Sequence, residues 1–176
     1  MNNFQSMQAG FTQILSDSNG NKMQQTQGIM ALSRPGKFHW EITNPTPQLL
    51  VADGHYLWIY DKSLSQATKQ TLSGMRTSNP ASLLSGSTDT IQKRFDVKKL
   101  NNKQNMTGFQ LQPKMHDDIV QWIQLYFQQG QLKEMRIADN LGQLSTFRFS
   151  NVKLNQNLNP ALFRFKPPRG VDVISE

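Results

Sequence analysis

Few side chains in this sequence are equipped for chemistry. Its only histidines are His39, His55 and His116. A neutral imidazole can act as a base, a proton shuttle or a metal ligand, but each role needs a partner. None of the three has a second histidine or a carboxylate at metal-ligand spacing. They read as surface residues on a strand, beside a turn and in a loop. Asp117-Asp118 is an adjacent acidic pair in a loop with no partner carboxylate nearby in sequence. Cysteine is absent, which excludes disulfides, thiolate metal sites, thiol nucleophiles and an acylated cysteine within this chain. There is no G-x-S-x-G elbow, no phosphate-binding loop and no G-x-G-x-x-G fingerprint. Hydrolase, kinase and dehydrogenase chemistry therefore have no carrier here, and the sequence assigns no catalytic residue, no metal ligand and no cofactor.

Binding remains. Nineteen Lys and Arg against 12 Asp and Glu give a net charge of +7, which suits an anionic partner such as nucleic acid, phospholipid headgroups or an acidic protein. Lys98, Lys99, Lys103, Lys114 and Lys133 are candidate phosphate contacts, and Tyr56-Leu57-Trp58-Ile59-Tyr60 is a candidate stacking platform. Their distribution argues otherwise. The lysines sit in polar turns and strand ends, and the aromatics alternate as a core face would, so a solvated basic surface over a packed sheet is the expectation. Eight methionines fit an adaptable apolar pocket and ordinary core filling equally well.

The elements that must position a binding site are mostly strands. At 176 residues, with 36% hydrophobic and 18% charged residues, the chain is expected to form one domain over 1–176, with no internal repeat or long linker. No stretch approaches the length of a spanning helix. Phe4, Met7, Phe11, Ile14 and Leu15 recur at three- and four-residue steps, which predicts a helix that stops at the turn-rich Ser16-Asp17-Ser18-Asn19-Gly20-Asn21. The period then changes to two. Phe38, Trp40 and Ile42 share one side of a strand, with Lys37, His39 and Glu41 on the other. Asp53-Gly54 joins Gln48–Ala52 to His55–Asp61 as a tight hairpin. Asn79-Pro80 through Gly86 predicts a short capped helix. Strand patterns return at Phe95–Val97, Gly108–Leu111, Ile119–Gln128, Leu132–Ala138 and Leu144–Leu154, with turns at Gln129-Gly130 and Asn140-Leu141-Gly142. About ten strands and two or three short helices imply a mainly β (α+β) fold: one curved antiparallel sheet closed by helices, with a concave apolar interior.

Leu32-Ser33-Arg34-Pro35-Gly36-Lys37-Phe38-His39-Trp40, followed by Leu50-Val51-Ala52-Asp53-Gly54 and Leu57-Trp58-Ile59-Tyr60-Asp61, resembles the LolA family of periplasmic outer-membrane lipoprotein carriers. Gln66-Ala67-Thr68, Asn79-Pro80 and Phe163-Arg164-Phe165-Lys166-Pro167-Pro168-Arg169-Gly170-Val171-Asp172-Val173 match in order. Ala9-Gly10-Phe11-Thr12-Gln13 resembles the F-T-Q end of that family's first helix, which is then shortened here, and no signal peptide precedes it. The resemblance implies an incomplete antiparallel β-barrel closed by a short-helix lid over an apolar cavity. The carrier would work without chemistry and without a cofactor. It would take lipoprotein acyl chains from an inner-membrane ABC transporter to the outer-membrane acceptor LolB, as a periplasmic and monomeric protein with no nucleic-acid partner. It also implies that Arg34 controls the lid and that Phe38, with Trp40 and Ile42 on the same strand face, borders the cavity.

Those residue types suit the task. The five donors of Arg34 match backbone carbonyls at the end of a lid helix, and the apolar strand face matches an acyl chain, worth about 0.8 kcal/mol per buried CH₂. The alternatives are a lipidated outer-membrane acceptor or other lipid-binding protein of the same fold, and a basic nucleic-acid-binding β-domain.

Overall fold

The computed structural model describes residues 4–72, 80–101, 104–115 and 119–175, with only the backbone of Ser82. His116, Asp117, Asp118, Lys103 and the capping Asn79 lie outside them.

The described chain is dominated by one twelve-stranded sheet. In chain order the strands are β1 (Ser6–Ser16), β2 (Lys22–Ser33), β3 (Lys37–Asn44), β4 (Gln48–Asp53), β5 (Tyr56–Asp61), β6 (Gln66–Thr71), β7 (Phe95–Lys99), β8 (Thr107–Pro113), β9 (Val120–Gln128), β10 (Gln131–Asp139), β11 (Leu144–Leu154) and β12 (Asp172–Ser175). Two helices, α1 (Pro80–Ser85) and α2 (Thr88–Arg94), stand between β6 and β7. In space the order is β12-β6-β5-β4-β3-β2-β1-β11-β10-β9-β8-β7. Pairing is antiparallel throughout except where β12 joins β6 in parallel. β12 and β7 are free edges and do not pair with each other, so the barrel is incomplete.

Topology places the lid. The chain leaves the sheet at β6, next to one edge, and re-enters at β7, the opposite edge. That connection has to cross the open side of the curve, and α1 and α2 lie in it. α1 packs on β2 and β3. Ala81, Leu83 and Leu84 of α1 and Ile91 of α2 are buried in the same apolar cluster as the inner faces of the strands. Ser87 caps α2 by accepting the Thr90 N–H at 3.1 Å.

The helix expected from Phe4 to Leu15 is instead β1, a central strand between β2 and β11. Its inward residues are Met7, Ala9, Phe11, Gln13 and Leu15, a period of two that a small Ala and a polar Gln disguise. The run Ser16–Asn21 does end an element, but as a hairpin turn: Asp17 Oδ1 accepts the N–H groups of Asn19 and Asn21 at 2.9 and 2.8 Å. In the Asp53-Gly54 hairpin the Asp53 carboxylate likewise takes the N–H groups of His55 and Tyr56, both at 2.8 Å, and Gly54 has φ +103°, a conformation open to glycine. Burial of Asp53 raises its pKa, but those N–H bonds outweigh it and the net shift is downward.

The aromatics of β5 also differ from expectation. Leu57 is buried in the core, whereas Trp58 and Tyr60 lie on the outer face, where the ring of Phe165 stands 5.4 Å from each. Phe165 belongs to the segment that follows β11. That segment crosses the back of the sheet, makes a 3-10 turn at Pro160–Phe163 and ends as β12. It covers His39, which is therefore not a free surface histidine: Nδ1 lies 3.0 Å from the Leu162 carbonyl oxygen and Nε2 3.5 Å from Glu41.

Candidate functional site

The concave face is built by register. Across β2, β3 and β4, Met30, Trp40 and Leu50 form one cross-strand row, and Leu32, Phe38 and Ala52 the next. On the facing arm, Phe147 of β11 pairs with Met135 of β10, and Ser145 with Ile137. Trp40 bridges the two arms, stacked on Phe11 with centroids 4.1 Å apart and edge-on to Phe147 at 5.8 Å. Gly28 makes that stack possible. A Cβ there would collide with the Glu41 carbonyl oxygen and with the Phe11 ring, so the missing side chain is what lets Phe11 lie flat against β2.

Between the arms is a cavity of about 360 Å³, within the range that binds small apolar ligands. Trp40, Leu50, Val120, Ile137 and Phe147 line it, together with Ile42, Leu15 and Pro80 of the lid helix. Gln13, Gln48, Gln143 and Ser145 also contribute to the wall. Of the three strand-face residues expected at the cavity, Trp40 and Ile42 line it. Phe38 is placed deeper, with no exposed surface, in the core cluster that includes Ala81, Leu83 and Leu84 of the lid helix. Sequence reasoning did not single out Leu15, Leu50, Val120, Ile137 or Phe147. The only available signal was their apolar alternation, which does not say which strands face each other.

Arg34 lies between the end of β2 and the start of β3 and reaches α1. Its Nε donates to the Leu84 carbonyl at 3.1 Å, one of the terminal carbonyls a helix leaves unpaired. Its Nη1 lies 3.5 Å from the Phe4 carbonyl, and the guanidinium sits 4.0 Å from the centroid of the Phe4 ring. Burial lowers the pKa of the guanidinium from its ordinary value, yet an arginine stays charged at neutral pH. The neighbouring Gly36 N–H donates to the Ser85 carbonyl at 3.1 Å. The β2–β3 turn thus holds two successive carbonyls at the end of the lid helix.

No group of three or more His, Cys, Asp or Glu side chains capable of holding a metal occurs among the described residues. No helix among them is long and apolar enough to cross a membrane. What the geometry offers is a cavity with aromatic and aliphatic walls and several polar side chains, a helix at its side and a cationic contact on that helix.

The family model described as "Outer membrane lipoprotein carrier protein LolA" matches residues 2–166. The chain belongs to the LolA family. An outer-membrane lipoprotein carrier protein of Coxiella burnetii (strain CbuK_Q154) is 41% identical over 177 residues, covering all of this chain and 83% of that protein. One from Dechloromonas aromatica (strain RCB) is 39% identical, covering all of this chain and 84% of the relative. Among solved structures, a LolA superfamily protein from Nitrosomonas europaea superposes with a TM-score of 0.54 at 15% identity, over 93% of this chain and 92% of that one. An uncharacterized conserved protein from Thermus thermophilus gives 0.61 at 11% identity, over 99% and 92%. At such identities these two show the fold alone: the mainly β, unclosed sheet expected from the sequence is that of LolA proteins.

Proposed function

We propose that this LolA-family chain is a periplasmic chaperone, acting as a single carrier unit over 1–176. It holds the acyl chains of lipoproteins in the cavity between the two arms of its sheet and carries them from an inner-membrane ABC transporter to the outer-membrane acceptor LolB. The observation that supports this best is a cavity between the arms whose apolar wall is formed by Trp40, Ile42, Leu50 and Phe147 and which touches the lid helix at Pro80. Transfer by such a device is burial followed by re-burial, with no bond made or broken, no cofactor and one protein copy per cargo. Phe38, fully buried under α1, is the surface that lid movement would add to the cavity, and Arg34 is the latch that favours the closed, empty arrangement. An apolar fluorescent probe such as N-phenyl-1-naphthylamine should bind saturably to the folded protein and be displaced by a triacylated lipopeptide. A folded protein with no displaceable site would end this reading.

A further inference from the structure

The cavity wall is not uniformly apolar, and its polar members gather at one end. Gln48 opens β4, Ser145 is the second residue of β11, and Gln143 directly precedes that strand. All three line the cavity, together with Ile42 near the end of β3 and Val120 at the start of β9. This end of the sheet is the mouth between the arms, away from the Arg34 contact.

Among the described residues, the side chains of Gln48, Gln143 and Ser145 make no hydrogen bond to one another, and no buried side-chain polar atom is without a partner. Gln13 is tied on both sides: its Oε1 accepts the Thr26 hydroxyl at 3.2 Å, and its Nε2 donates to Ser145 Oγ at 3.4 Å. Ser145 therefore serves Gln13 as an acceptor and keeps its own proton to give. Asp139, also in the wall, has a carboxylate oxygen occupied by the N–H groups of Leu141 and Gln143 at 2.9 and 2.8 Å, which fixes the turn that presents Gln143. The side-chain amides of Gln48 and Gln143 have no hydrogen-bond partner among the described residues. Alkyl chain laid against such donors would strip their water and return nothing, whereas a carbonyl oxygen would satisfy them.

We infer that Gln48, Gln143 and Ser145 form a hydrogen-bonding collar at the cavity mouth that selects acyl chains joined through carbonyl-bearing ester or amide linkages over bare alkyl chains. This rests on the carrier reading of the cavity and adds the part of the cargo it recognises. The carboxamide N–H groups and the Ser145 hydroxyl donate to the linkage carbonyls, and the carboxamide oxygens accept an amide N–H where the linkage has one. The apolar wall beyond takes the chains.

The test uses the full chain with bound N-phenyl-1-naphthylamine and two synthetic competitors of equal chain length. One is a dipalmitoylglyceryl cysteine peptide with ester linkages, and the other its dihexadecyl ether counterpart, which lacks the carbonyls. The ester form should compete about tenfold more strongly, the effect of one to two ordinary hydrogen bonds. In Gln48→Leu/Gln143→Leu the ester-to-ether ratio, measured within one preparation, should fall below about threefold. Equal displacement by both competitors in the unmodified protein overturns the collar while leaving the carrier reading standing, and this comparison needs no variant. A ratio that survives the double substitution in a folded protein overturns it too. Displacement by neither competitor removes the carrier reading itself, and the collar with it.

Discussion

Replacing Arg34 with leucine isolates the hold that the β2–β3 turn has on the lid. The substitution removes the 3.1 Å bond from Nε to the Leu84 carbonyl, the weaker 3.5 Å contact with the Phe4 carbonyl and the cation–π contact with the Phe4 ring. Only the first joins Arg34 to α1; the other two reach the segment before β1. A charge-assisted bond to backbone contributes roughly 1.5–3 kcal/mol, and half-burial of the guanidinium discounts this to about 1–2 kcal/mol through solvent screening. The Gly36 N–H bond to the Ser85 carbonyl survives, so the lid is loosened without being freed. At 1.4 kcal/mol per factor of ten, the lid's opening equilibrium should shift by about tenfold. Amide hydrogen exchange across Ala81–Gly86 should accelerate by that factor while the strands keep their protection. Cargo loaded on Arg34→Leu should be passed to purified acceptor in a smaller fraction than from the unmodified protein at equal loading, because the closed state that competes with bound cargo is weakened. Arg34→Lys should recover only part of the difference, since it keeps the charge and loses the planar fork. Unchanged exchange at α1 together with an unchanged transfer fraction would refute the latch and leave Arg34 an ordinary strand-end residue.

Phe38→Glu places an unpaired carboxylate at a fully buried position; at several kcal/mol it should lower Tm by about 10 °C or more in a thermal melt and abolish probe binding. Gly28→Ala drives a methyl into the Glu41 carbonyl and the Phe11 ring, and overpacking of this kind costs about 1–3 kcal/mol, visible as a lower denaturant midpoint with an altered tryptophan signal from Trp40. Glu41 is drawn upward in pKa by burial but further downward by hydrogen bonds and charge from Lys62 and His39, so it ends below its ordinary value. Its stabilisation is therefore present above the unfolded carboxyl's pKa and lost as pH falls through the lower folded value, and Glu41→Gln should flatten the acid limb of a stability-versus-pH curve. Phe165→Ala removes the ring standing over Trp58 and Tyr60 and should cost about 2 kcal/mol, read as a Tm lower by about 4–8 °C.

The strand face of Phe38, Trp40 and Ile42 is readable because alternation is undisguised there, and the Asp53-Gly54 turn because its chemistry is local. β1 misleads for a physical reason: Met7, Phe11 and Leu15 satisfy a four-residue step and a two-residue step at once, and Ala9 and Gln13, the positions that discriminate, are small and polar. Pairing with β2 and β11 decides the matter, and pairing is not local. The same holds for β12, four exposed residues whose only reason to be a strand is the parallel edge of β6. The outer placement of Trp58 and Tyr60 is hidden because their cover, Phe165, lies about a hundred residues further along the chain. Arg34 is legible as a donor to helix-end carbonyls, and Leu84 supplies one. The opposite wall, Val120, Ile137 and Phe147, exists only once the sheet has curled.

The energies on the two sides of the lid explain how such a molecule can load and unload without fuel. An acyl chain of about sixteen carbons represents on the order of 12 kcal/mol of burial, several times the 1–2 kcal/mol estimated for the Arg34 bond. The latch cannot keep cargo out. In the proposed role it would bias the empty protein toward the arrangement in which α1 covers Phe38, so that wall is not left open to water or to another apolar edge. The apolar gain of loading is also reduced by the cost of moving α1 off Phe38. An acceptor with an equally apolar site that avoids this cost draws the chain forward, and the carrier recovers its lid contacts when the chain departs. Direction would then arise from a difference of a few kcal/mol between two nearly matched cavities, and Arg34, as the proposed latch, would set part of that difference from outside the acyl site.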